Sequence, residues 1–349
     1  MTPRERWLAL FAGERTDRIP TDYWATDEVT RRLFRDLGCS NIEELYSALH
    51  IDGIIPVEPP RTLGHFPGDP EADLWGLRRT AIDYGGGVYE EFANHPLKQM
   101  TSIEELDAYG WPSADDHDYE AYRAMLRGVP PHRLVRSCCF EPFLLYCALR
   151  GLEQAMMDLI AEPEFAAAAL KKIFDYHYEV AQRTFAAGKG RVDVTYVAED
   201  LGGQIALLMS LPQIRKFFLP NQKQMADLAK SFGIHVFYHT DGAVRDVIPD
   251  LLQVTGIELL NPIQWRCPGM DREGLARDFG DRVIFHGAMD NQQTLPFGTA
   301  ADVKREVLEN IEIFKKVRWV CAPCHNLQPV TSTEKIVTMY DTMHKYGIQ

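Results

Sequence analysis

The chain has 349 residues with 37 Lys and Arg against 50 Asp and Glu, a net charge of −13, and it is 46% hydrophobic and 25% charged. That balance excludes a disordered, collagen-like or coiled-coil chain, and the acidic excess repels phosphate backbones, so no nucleic-acid partner is expected. No run reaches the ~18 apolar residues of a membrane span, and Arg and Glu interrupt the N-terminal apolar stretch, unlike a secretory signal, so a soluble cytoplasmic protein with no membrane partner is expected.

Short β-rich runs alternate with longer amphipathic ones. Residues 19–24 and 54–57 are the first two predicted strands. Between 59 and 118, Gly85-Gly86-Gly87 separates two strand-like runs, which predicts a β-hairpin insertion after the second strand. Further strands are predicted at 134–140, 192–197, 235–239, 258–260, 283–287 and 319–322. Helical spacing covers 165–186, 211–232, 244–254, 272–278, 301–315 and 332–345. Ser210 and the run Thr331-Ser332-Thr333-Glu334 supply helix-start signals. The strands are mostly too apolar for a sheet wet on one face. Eight strands alternating with helices predict one α/β domain over 1–349, a (β/α)8 TIM barrel. A doubly wound sheet also fits the alternation, but the chain has no GxGxxG fingerprint.

The strand ends are polar where packing needs nothing polar. They read Asp22-Tyr23-Trp24, Glu58, Glu141, Glu199-Asp200 with Gly202-Gly203-Gln204, His239-Thr240-Asp241-Gly242, Asn261-Pro262-Ile263-Gln264, His286-Gly287, and Cys321-Ala322-Pro323-Cys324-His325. In a barrel these ends meet on the face that carries catalytic sites. Tyr23, Trp24, Gln204, Asn261 and His286 are candidate substrate contacts. His286 is equally readable as a satisfied barrel histidine. Alternate residues of a strand share a face, so His239 and Asp241 could bind one metal, with Cys324 from the last strand as third ligand. Imidazole, carboxylate and thiolate make a three-ligand zinc site with an open position, where the metal acts as a Lewis acid. The bland alternative is a hydrogen-bonded histidine, a loop aspartate and a buried thiol. Glu199 and Asp200 are candidates for a general acid or base, a metal ligand or substrate hydrogen bonds. A helix cap and a solvated carboxylate would serve equally well as their description. Seven cysteines, an odd number without a secretory signal, point to reduced thiols.

Four blocks carry a family resemblance: TPRERWLALFAGERTDRIP, FYHTDGAVRDVIPDLLQVTGIELLNPIQ, FGDRVIFHGAMDNQQTLPFGT and APCHNLQPVTSTEKI. Together they resemble the uroporphyrinogen decarboxylase family over nearly the whole chain. The resemblance implies the (β/α)8 barrel and offers two chemistries. The decarboxylase branch works without metal and carries an arginine-rich loop of the type RQAGRY. The matching region here, DYWATDEVTRRLF, lacks it, and Asp52 lies roughly where the decarboxylase aspartate would be sought. Without those arginines an octacarboxylate has no bidentate partners.

The other branch contains corrinoid-linked zinc methyltransferases, whose motif is His-x-Cys with a distal Cys. His239 matches the histidine and Cys324 the distal cysteine, while Asp241 stands in place of the first cysteine. The carboxylate makes the site harder and favours oxygen over thiol substrates. The resemblance therefore implies a zinc-dependent methyltransferase acting in O-demethylation, from a small O-methyl donor to a corrinoid (cobalamin) protein. Zinc, or a proton from His325 or Glu199, would stabilise the leaving oxygen. With no DxHxxG signature in the chain, the corrinoid would arrive on a partner protein. Loss of Cys324 is expected to cost metal. The alternatives are a metal-free decarboxylase and a non-catalytic binding protein.

Overall fold

The N-terminal segment is held by a buried ion cluster. Asp52 accepts hydrogen bonds from Arg6, from Arg18 at 2.8 and 2.9 Å, and from the Thr21 amide at 2.9 Å. Arg6 lies on the helix Pro3–Ala12, which starts with a Thr2–Glu5 capping box. Its apolar side, Trp7, Leu10 and Phe11, packs among Leu134, Val194, Phe237, Leu259, Ile284 and Val320, the inner side chains of the sheet. The helix thus fills one end of the sheet, and Asp52 fixes it there. The Asp52 carboxylate is fully buried and committed, so the position where the decarboxylase aspartate was sought is structural here. Asp52→Ala leaves two buried guanidinium groups facing each other and is expected to cost about 3–5 kcal/mol. Urea unfolding with an unchanged slope checks this.

The computed structural model describes residues 1–83 and 88–349. Its strands are β1 (Ile54–Pro56), β2 (Arg79–Asp83), β3 (Val88–Phe92), β4 (Leu134–Phe140), β5 (Val194–Ala198), β6 (His235–His239), β7 (Leu259–Asn261), β8 (Ile284–Met289) and β9 (Trp319–Pro323). Seven of them form one sheet in the order β1-β4-β5-β6-β7-β8-β9, with every pairing parallel. This is a TIM-barrel-like α/β fold with a curled parallel sheet.

The predicted first strand, 19–24, is not a ladder strand. It makes single parallel bridges, Thr21 to Cys321 and Ala25 to Leu327. Its backbone also accepts from the Asp52 and Gly53 amides at 3.1 and 3.2 Å, so it spans the gap between β9 and β1. Pro20 accounts for part of the deficit, since it has no N–H to give a ladder. An antiparallel pair, β2 with β3, stands between β1 and β4. The Gly85-Gly86-Gly87 turn expected there lies outside the described residues.

Two predicted helices are broken. The run 211–232 forms Leu211–Phe217 and Leu219–Ser231. Pro220 separates them, because its ring excludes a continuous helix and suits a first turn. The run 244–254 is a 3-10 turn, a short α-turn and a π-turn in succession around Pro249. No helix among the described residues is long and apolar enough to cross a membrane.

Candidate metal centre

Every strand of the parallel sheet runs the same way, so the residues after β4, β5, β6, β7, β8 and β9 gather at one end. Register brings the loops after β5 and β6 together, since Ala198 pairs with His239. The glycines then allow close contact. A Cβ on Gly202 would lie 2.5 Å from the Asp241 carbonyl, and one on Gly242 would lie 2.4 Å from the Gly203 carbonyl. Gly242 also has φ +86°, open to glycine at little cost. The Ala243 amide donates to the Gly203 carbonyl at 2.8 Å, and the Asp241 amide donates to Asp200 Oδ1 at 3.2 Å.

The result is a trio. One ligand atom each from Asp200, His239 and Asp241 lies within 4.8 Å of the others. His239 Nε2 is 3.6 Å from Asp200 Oδ1 and 3.9 Å from Asp241 Oδ2. Tetrahedral zinc with bonds of about 2.0–2.2 Å needs ligand atoms ~3.4 Å apart, so small side-chain rotations would close the set. Two carboxylates would balance the dication. The second Asp241 oxygen, Oδ1, is buried and has no hydrogen-bond partner among the described residues. A buried orphan acceptor is costly without a cation or donor. Burial pushes the Asp241 carboxyl up, Asp200 adds to this, and His239 and His325 oppose it. The residues present therefore fit a divalent metal, zinc included.

The histidine is held in the tautomer such a site needs. Asn261 Oδ1 accepts from His239 Nδ1 at 2.6 Å, which leaves the Nε2 lone pair for the trio. The Asn261 amide donates to His286 Nδ1 at 2.7 Å, and His286 Nε2 donates to Asp22 Oδ2 at 3.1 Å. Asp22 also accepts from Trp24 Nε1 at 3.1 Å and from the Ile54 amide at 3.3 Å. This Asp22–His286–Asn261–His239 line is fully buried apart from the edge of His239, which is 5% exposed. Such backing orients a ligating imidazole and raises its basicity.

The remaining candidates divide. Tyr23 and Trp24 line a cleft of about 790 Å³ beside the trio. Asn261 and His286, expected as substrate contacts, are fully buried and serve the relay instead, because each spends its polar atoms on the next member. Gln204 is exposed and accepts from Gln292 Nε2 at 3.2 Å, away from the lining of the cleft. Glu199 accepts from the Phe143 and Leu144 amides at 2.8 and 3.2 Å, at the start of the helix Pro142–Arg150. It is buried, and burial pushes its carboxyl well up. Both oxygens are occupied by that helix, so it fixes the preceding Glu141 rather than offering a free acid.

Asp200, expected as an acid or base, stands with the trio. His325 is half-exposed, its Nε2 3.9 Å from Asp241 Oδ2. The Cys324 thiol, expected as third ligand, donates to the Ile263 carbonyl at 3.1 Å. Burial pushes that thiol well up. Glu141, the end of the third predicted strand, received no role from its sequence position. It lines the cleft, and burial pushes its carboxyl up to about 7, with Asp200 and Asp241 adding and His239 opposing.

The model of the uroporphyrinogen decarboxylase (URO-D) family matches residues 80–346. No curated protein matches the chain. Among solved structures, a methyltransferase from Methanosarcina mazei superposes with a TM-score of 0.72 at 18% identity, covering 99% of each chain. A B12-independent methionine synthase from Shewanella sp. W3-18-1 superposes with a TM-score of 0.43 at 11% identity, over 94% of this chain and 96% of that one. The first of these shows a shared fold.

Proposed function

Because the chain belongs to the uroporphyrinogen decarboxylase (URO-D) family, we propose that it is a zinc-dependent methyltransferase that moves a methyl group from a small O-methyl donor to a corrinoid carried by a partner protein. The observation that carries this reading is the trio of His239, Asp241 and Asp200 with the buried, unpartnered Asp241 Oδ1. The corrinoid acceptor is supported by the resemblance of the His239 and Cys324 blocks to the methyltransferase branch.

Zinc, when bound, supplies Lewis acidity toward the oxygen that leaves when the methyl group departs. The chain's residues do the rest. His239 keeps its proton on Nδ1, against Asn261, and presents Nε2. Asp200 and Asp241 bring the negative charge that retains a dication beside His239. His325, near Asp241, is placed to give a proton from Nε2 to the leaving oxygen. Glu199 holds the turn that carries Glu141. Trp24, Tyr196 and Phe237 give the cleft an apolar wall that keeps water from the donor.

Cys324 separates two ligand sets. With its thiol on the Ile263 carbonyl, Cys324→Ala is expected to keep its zinc, with affinity changed less than about threefold, a small fraction of the 10–100-fold cost of disturbing a ligand's support. Zinc content and a chelator competition on that variant check this, and loss of the metal would return the thiol to the ligand set. The activity itself is tested with a panel of methyl ethers and reduced corrinoid protein, by following methylcobamide formation optically. Formation that depends on zinc supports the reading. No methylcobamide with any donor, in enzyme loaded with zinc, contradicts it.

A further inference from the structure

The pair β2 and β3 stands apart from the parallel sheet as a two-stranded ribbon. Every residue of β2 is exposed. The large apolar side chains Ile82, Tyr89 and Phe92 are exposed as well, at 43%, 64% and 38%. A two-stranded ribbon alone in water is marginal, and further strands or a covered face stabilise it. An open edge is also a template for pairing with another chain.

The edge that β2 offers has a defined pattern. The Ala93 amide donates to the Arg78 carbonyl at 2.8 Å, one step beyond the Arg79–Phe92 pair. Opposed residues of an antiparallel pair alternate between bonded and non-bonded. Residues 78, 80 and 82 therefore direct their backbone groups to β3, while those of Arg79 and Ala81 point to the outer edge. No other backbone segment among the described residues bonds to Arg79 or Ala81 there. The side chains of Arg79, Ala81 and Asp83 share one face. That face reads cation, methyl, anion at two-residue steps. Such a row is complementary to its own reverse, since pairing about Ala81 sets each Arg79 opposite an Asp83. The outer edge of β3 is not. Pairing about its middle residue sets Glu90 against Glu90, and like charges directly opposed are destabilising.

We propose that two copies of this chain join through their β2 edges, with Ala81 opposite Ala81 and Arg79 opposite Asp83 of the second copy, so that two ribbons become one four-stranded antiparallel sheet. A two-fold axis between the two Ala81 residues closes this pairing, whereas β2 on β3 of the next copy is head-to-tail and leaves an edge open at each end. The Arg79 guanidinium already lies 4.7 Å over the Phe92 ring, on the face where Asp83 of the second copy arrives. On the other face Ile82 pairs with Tyr89 in its own ribbon and comes beside Thr80 of the second copy. The apolar pairs of both copies then lie on one surface. None of these residues lines the cleft or belongs to the trio.

Sedimentation equilibrium of the intact protein tests this. A five-residue edge is smaller than a standard interface, so a dissociation constant of about 1–100 μM is expected. Above it, wild type should sediment at twice the chain mass of 39.8 kDa. Arg79→Asp opposes two aspartates at each end of the pairing, and Asp83→Arg opposes two arginines. Either should weaken association about tenfold or more. The double variant Arg79→Asp/Asp83→Arg restores opposite charges and should recover the wild-type constant. Equal melting temperatures across the series show that the fold is unaffected. A wild type that keeps the single-chain mass throughout that range leaves the edge to some other partner and overturns the assignment. A dimer indifferent to both single reversals places the contact elsewhere and overturns it too, as does a double variant that associates no better than the singles.

Discussion

His239→Ala is expected to abolish the proposed methyl transfer and zinc retention while the fold survives, the largest effect expected of any single substitution. His239 is the one imidazole in the trio, with Nε2 at 3.6 and 3.9 Å from the two carboxylates. Without it, Asp200 and Asp241 face each other with no neutral donor to complete a set. The loss should exceed the roughly 10–100-fold that removal of a supporting hydrogen bond costs a metal site. The structural cost is modest. One end of a strand side chain goes, and Asn261 loses one partner, worth about 1–3 kcal/mol. For a chain of this size that is a melting shift of a few degrees. Methylcobamide formation and thermal melting on the same preparation check both halves.

Asn261→Ala is expected to have the second largest effect, a fall of about 10–100-fold in zinc affinity. Asn261 touches neither the cleft nor the carboxylates. It acts through His239, whose Nδ1 proton it accepts at 2.6 Å, and it links that ring to His286 and Asp22. With alanine there, His239 can shift its proton to Nε2 or rotate, and either change removes the lone pair from the trio. A chelator competition gives the affinity, and thermal melting gives the stability. A merely structural asparagine would lower the melting temperature and leave zinc affinity unchanged, so the two measurements distinguish positioning from packing.

Much of this arrangement follows from periodicity that a sequence displays. Strand order is consecutive, and β4 to β9 begin and end within a few residues of the apolar runs that mark them. The pairing of His239 with Asp241 follows from their two-residue spacing, which survives although β6 ends at His239. Asp200 needed more. Its approach to His239 depends on the register Ala198 to His239 and on two glycines, Gly202 and Gly242, that let two loops touch, and neither is visible along one strand.

Cys324 was expected as a third ligand because it follows the last strand, and its thiol instead reaches the Ile263 carbonyl. Val320 points to the inner face, so a continued strand would carry Cys324 inward too. The strand stops at Pro323, and the chain then turns the thiol onto Ile263. Asn261 and His286 were legible as polar residues at strand ends. Whether such a residue meets a ligand or its neighbour depends on burial, and both are fully buried. The segment 19–24 shows the limit of composition. Its apolar run reads as a strand, but Pro20 and its single bridges make it a spacer between β9 and β1.

The central claim is that His239, Asp241 and Asp200 hold one metal ion, and elemental analysis of zinc-reconstituted protein after desalting tests it most directly, with wild type and His239→Ala prepared side by side. The account predicts near one zinc per chain in wild type and little in the variant. Wild type without zinc, or equal zinc in both proteins, would contradict it.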